Sequence, residues 1–150
     1  MGGNGAYSSF LAYSLDTYEK DRYKRVGMIG NTKVITVVTQ KNDKAPMNAF
    51  SSSMYYVTKP NDPNRITTIT FYDARTHGIK KSIDLKYDKD GNLLPFGEKG
   101  THVHKWSKNG KGEYGRVSHD KSDIFEPTKT DWIYIKRALK YNSSHASTGK

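Results

Sequence analysis

The chain has 150 residues, no cysteine, and 25 Lys or Arg against 15 Asp or Glu, for a net charge of +10. One domain is expected, long enough to bury roughly 70% of its unfolded surface. The lack of cysteine excludes disulfides, thiolate catalysis and cysteine-ligated zinc, and no run approaches the ~20 apolar residues of a membrane span.

In chain order, Met1-Gly2-Gly3-Asn4-Gly5 has no basic region followed by an apolar core, so it does not read as a secretory signal. Ala6 stands where a myristoylation motif has Ser or Thr. Residues 1–22 read as a flexible arm, or as a helical one with a short helix around Phe10–Tyr18. Arg25–Ile29 and Lys33–Thr39 are β-rich runs around Gly30-Asn31, a hairpin signal. The second run is apolar on both faces, as an inner strand is. Gln40–Ser53 reads as loop and Met54–Thr58 as strand.

Lys59–Asn64, with two prolines, predicts a turn. Arg65–Tyr72 is the clearest strand: alternation puts Ile66, Thr68, Thr70 and Tyr72 on one face, and Thr67, Ile69 and Phe71 on the other. Asp73–Gly78 turns the chain, and Ile79–Tyr87 pairs back with Ile79, Lys81, Ile83, Leu85 and Tyr87 on one face. Asp88–Asn92 is a turn whose resemblance to a calcium loop fails at its twelfth position, Lys99. Thr101–Ser107 is a strand, and Tyr114–Ser118 pairs with it. Asp131–Tyr141 is an amphipathic helix through Trp132, Ile135 and Leu139, capped by Thr128 or Thr130. Residues 142–150 read as a disordered tail. The expected architecture is α+β: a mainly antiparallel twisted sheet with the C-terminal helix packed on one face, in one domain over residues 1–141.

The charge is uneven. Residues 99–150 hold 11 basic and 5 acidic side chains, whereas 51–98 hold 7 and 6. Such a field attracts a polyanion, with RNA favoured. Lys80, Lys81, Lys105, Lys108, Arg116, Lys136 and Arg137 are the expected phosphate contacts. Tyr55, Tyr56, Tyr72, Tyr87 and Tyr114 either stack bases or cover a half-exposed sheet.

His102 and His104 are the sharpest feature. In a strand they share a face, about 7 Å apart, with Trp106 beyond them and Val103 and Lys105 pointing away. Pro95, Gly97 and Gly100 upstream permit a close approach of the chain. Paired imidazoles suit acid–base cleavage of RNA without a metal, with His119 as a third member and the nearby cations steadying the phosphorane. His-x-His is also a two-ligand metal unit that His77, His119 or an Asp would complete, and such pairs also serve structure alone. No metal ligand set and no cofactor is assigned. His77, in a turn, reads as structural.

Met1-Gly2-Gly3-Asn4-Gly5-Ala6-Tyr7, Lys80-Lys81-Ser82-Ile83-Asp84 and Gly100-Thr101-His102-Val103-His104-Lys105-Trp106 resemble a group of small uncharacterised proteins of bacterial prophages, over most of residues 1–141. Modules of this build are in turn similar to barnase-like and RelE-like RNase toxins, a likeness of fold. This chain departs from the barnase-like pattern in placing its helix last. The resemblance implies a phage-encoded protein in the bacterial cytoplasm; with the charge and the same-face histidine pair, the expectation is an RNA-binding protein whose catalytic form is an RNase using His102, His104 and His119. Two alternatives stand beside it: an inhibitor of a host defence system that binds a nucleoprotein complex, and a virion-associated structural protein.

Overall fold

A computed structural model describes residues 23–38, 45–46, 53–108, 114–116 and 124–146. Its elements are β1 (Tyr23–Ile29), β2 (Thr32–Val37), β3 (Met54–Lys59), β4 (Asp62–Tyr72), β5 (Ile79–Asp84), β6 (His102–Lys108), β7 (Tyr114–Arg116), β8 (Ile124–Phe125) and α1 (Lys129–Ala146). The strands form one sheet in the order β1 to β7, and β8 also pairs with β6. The β2–β3 pairing is parallel; the others are antiparallel. The expected α+β class, with a C-terminal helix on a mainly antiparallel sheet, is the class observed. None of the described helices is long and apolar enough to cross a membrane.

Local chemistry explains most of these elements. Gly30 and Asn31 form a two-residue hairpin loop, with positive φ at Gly30 (59°), where a type II′ turn requires it. β2 is an inner strand, as its two apolar faces imply. The turn expected over Lys59–Asn64 is tighter than its composition suggests, because Lys59 already faces Asp62. Thr58 then faces Ile66, which leaves Pro63, Asn64 and Arg65 as a bulge that accommodates a residue without an N–H.

Bulges also overturn two predicted faces. An extra residue between the pairs Thr58–Ile66 and Val57–Thr68 puts Ile66 on the helix side of the sheet, with Ile69 and Phe71, while Thr68, Thr70 and Tyr72 face away. A second irregularity at Lys80 sends Ile79 to the far face with Tyr72, while Ile83 and Leu85 point towards α1. One inserted residue reverses every alternation beyond it. The predicted Ile79–Tyr87 strand ends at Asp84, and Tyr87 keeps only a bridge to Leu93. β8 was not foreseen; two residues carry no periodicity. The predicted loop Gln40–Ser53 and arm 1–22 lie mostly or wholly outside the described residues.

α1 begins with reciprocal hydrogen bonds: the Asp131 N–H donates to Thr128 Oγ1 (3.1 Å), and the Thr128 N–H donates to Asp131 Oδ2 (2.9 Å). Thr128 is thus the cap. The helix runs through residues 142–146, which were read as tail. Asn142 anchors this extension: its Oδ1 accepts the Ile66 N–H at 2.8 Å and its Nδ2 donates to the Tyr87 hydroxyl at 2.9 Å. The buried face is Ile135, Ala138 and Tyr141, packed on Val34, Tyr56, Ile69, Ile83 and Val103. Each large aliphatic chain so buried contributes about 1.5–3 kcal/mol. Trp132, predicted to face inward, is 37% exposed. The opposite sheet face has its own buried cluster around Ile35, Tyr55, Val57, Tyr72 and Ile79. Tyr55, Tyr56 and Tyr72 are core residues, so none of them offers a base-stacking surface.

Candidate functional site

Antiparallel register sets the site. β5 and β6 pair with Asp84 opposite His102 and Ser82 opposite His104. Ile83 and Val103, one residue along, pack towards α1, so alternation sends Asp84, His102 and His104 to the other face. The histidine side chains are closer than a bare strand dictates, because both lean onto Asp84. Their ring centroids are 4.8 Å apart and nearly perpendicular.

Asp84 Oδ2 lies 3.3 Å from His102 Nε2 and 3.2 Å from His104 Nε2. The two Nε2 atoms are 3.2 Å apart. The side chains of His102, His104 and Asp84 are 7%, 12% and 26% exposed, so the site is recessed but reaches solvent at the carboxylate.

His102 Nδ1 is 2.7 Å from the Gly100 carbonyl. That carbonyl belongs to a tight corner: a Cβ on Gly100 would meet Pro95 O at 2.0 Å, so only glycine fits there. The Gly100 N–H donates to Gly97 O, and the Thr101 N–H to Pro95 O. This is the close approach that Pro95, Gly97 and Gly100 imply. The Asp84 hydrogen bond, opposed by burial and helped by the Gly100 carbonyl, raises the His102 pKa above the ordinary imidazole value. Burial pushes the Asp84 carboxyl up, but the two imidazoles outweigh it and hold the group well below the usual carboxylate range. His104 Nδ1 and Trp106 Nε1, on the same face of β6, are buried with no hydrogen-bond partner among the described residues.

Comparison with protein-family models, curated proteins and solved structures found no match.

The expected site residues separate into groups. His102 and His104 come together, and Asp84 joins them. His119 lies outside the described residues. Lys81, expected to steady a phosphate beside the histidines, is on the helix side of the sheet; Lys105, which strand alternation already points away from them, is on that side too. Lys81 Nζ is 2.6 Å from Asp131 Oδ1 in the first turn of α1 and 4.9 Å from the Phe71 ring centre. Lys105 is exposed, with Nζ 4.3 Å from the Phe125 ring centre. Lys80 is exposed at the β5 irregularity. Lys108 and Arg116 lie on the paired strands β6 and β7. Lys136 and Arg137 are exposed on α1, the latter 5.5 Å from the Tyr134 ring centre. His77 sits in the Asp73–Gly78 turn with φ of 68°, as a turn residue does.

Sequence reasoning left Asp84 unnamed as the third member. Its signal was parity, but parity needs the β5–β6 register, which is a tertiary fact. It also left out Lys129 and Lys140, which the helical repeat places beside Lys136. Lys129, Lys136 and Lys140 are seven and four residues apart, so they form one row about 16 Å long. All three are exposed, with Trp132 and Ile133 beside them. The only acidic residue of α1, Asp131, is buried and paired with Lys81.

Proposed function

We propose that this protein binds RNA through the outer face of α1. The observation that carries this is the exposed row Lys129, Lys136 and Lys140, flanked by Arg137 and Trp132, with no acidic side chain exposed on the helix. Ammonium groups in a row meet phosphates along one strand, and an exposed indole stacks on an unpaired base. Lys105 extends the positive surface past the N-terminal end of the helix. The prophage-like motifs supply the setting, an RNA met in a bacterial host.

Fluorescence anisotropy with a labelled single-stranded RNA tests this at low salt. Lys136→Glu combined with Lys140→Glu is expected to weaken binding more than tenfold. Lys24→Glu, an exposed charge reversal on β1, is expected to change it less than threefold. Equal losses from the two changes, or no binding by the unmodified protein, contradict the proposal. Capture of a host nucleoprotein complex that survives RNase treatment would favour the defence-inhibitor reading instead.

A catalytic reading has one specific support, the convergence of His102 and His104 on Asp84. With Nε2 atoms 3.2 Å apart, no phosphate fits between the rings, so acid–base cleavage requires them to part. RNA incubated with the protein, with and without chelator, tests this reading. Cleavage lost in His104→Ala supports it; intact RNA under both conditions removes it.

A further inference from the structure

We propose that Asp84, His102 and His104 bind one divalent transition-metal ion of the zinc class, leaving at least one coordination position open. This goes beyond the RNA-binding reading and is independent of it. The three side chains form the only group of three or more His, Asp or Glu with converging ligand atoms among the described residues.

Geometry comes first. The three ligand atoms stand 3.2, 3.2 and 3.3 Å apart. Ligands about 2.0–2.1 Å from a tetrahedral ion are about 3.3–3.4 Å apart from one another. A point at bonding distance from all three atoms therefore exists without moving a side chain. It lies roughly 0.8 Å off their plane, where a tetrahedral ion sits above its three base ligands. Two imidazoles and one carboxylate suit zinc, iron, nickel or copper, whereas magnesium and calcium require mainly oxygen.

Proton bookkeeping comes second. A carbonyl only accepts, so the contact with Gly100 O makes Nδ1 of His102 the N–H nitrogen. In the neutral ring, Nε2 is then a lone pair facing a carboxylate oxygen at 3.3 Å. Two acceptors aimed at each other need a cation between them, either a proton or a metal. The Gly100 contact is also the outer hydrogen bond that fixes a metal-binding imidazole, and the glycine-only corner holds that carbonyl in place.

The test uses the full chain, free of any affinity tag and stripped with chelator. Zn²⁺ is titrated by calorimetry, and Co²⁺ by its visible absorption, whose intensity separates four-coordinate from six-coordinate ions. One ion per chain is expected, with an intense four-coordinate Co²⁺ spectrum. Asp84→Asn and His104→Ala are each expected to weaken Zn²⁺ binding at least ~10-fold, while His145→Ala, on α1, leaves it unchanged. Circular dichroism checks that each variant is folded; should His104→Ala unfold, the near-isosteric Asp84→Asn alone decides. No binding by the unmodified chain, or equal affinity in the folded variants, overturns the proposal. Neither readout involves RNA, so failure here leaves the RNA-binding proposal standing.

Discussion

Asn142 shows how much one polar side chain decides. It satisfies the N–H of fully buried Ile66 and the hydroxyl of Tyr87, which itself donates to Ile66 O. This closed set of bonds ties the C-terminal part of α1 to β4. Asn142→Ala would leave the Ile66 N–H buried and unpaired, at a cost of about 1–3 kcal/mol in urea unfolding. An equal midpoint in the two proteins would contradict this. From sequence alone, Asn142 was the first residue of a polar tail, because its partners are 76 and 55 positions away. The histidine pair was legible, since alternation over three residues is local. Asp84 was not, since only strand pairing brings it opposite His102.

At the scale of the element, α1 joins stability to charge. Its cap is local, and Thr128→Ala is expected to cost about 1 kcal/mol. Asp131 links the cap to the sheet. Burial pushes its carboxyl up, but Lys81 and the Thr128 N–H outweigh burial and hold it below the ordinary carboxylate value. A carboxyl depressed by folding stabilises the protein above its unfolded pKa, near 4, and that contribution is lost as pH falls through the folded value. The stability gap between the unmodified chain and Asp131→Asn should therefore be largest near neutrality and shrink as pH is lowered below about 4. A gap independent of pH would place the carboxylate's role elsewhere. The strands show what is local and what is not. The Gly30-Asn31 hairpin and the Asp73–Gly78 turn were readable from turn chemistry, whereas the faces of β4 and β5 were misread because bulges near Thr67 and at Lys80 leave no mark on the hydrophobic pattern. The parallel pairing of β2 with β3 had no local signal either.

For the whole molecule, the sheet separates two sites. On the helix side, Lys105 and the α1 row face outward; on the far side, Asp84, His102 and His104 form a recessed cluster. Nearness in sequence grouped Lys105 with His102 and His104 in one reaction centre. The sheet divides them, because adjacent strand residues point opposite ways. Binding of a polyanion and occupancy of the triad are therefore expected to vary independently. The most direct test of the proposed RNA contact on α1 is the salt dependence of affinity for single-stranded RNA. Three lysine–phosphate contacts predict a slope of log affinity on log salt near −2, a loss of roughly 20-fold between 50 and 200 mM. Removing two of them in Lys136→Ala with Lys140→Ala should reduce the slope's magnitude by about 1.4. An unchanged slope in that variant would contradict the placement of the RNA on α1.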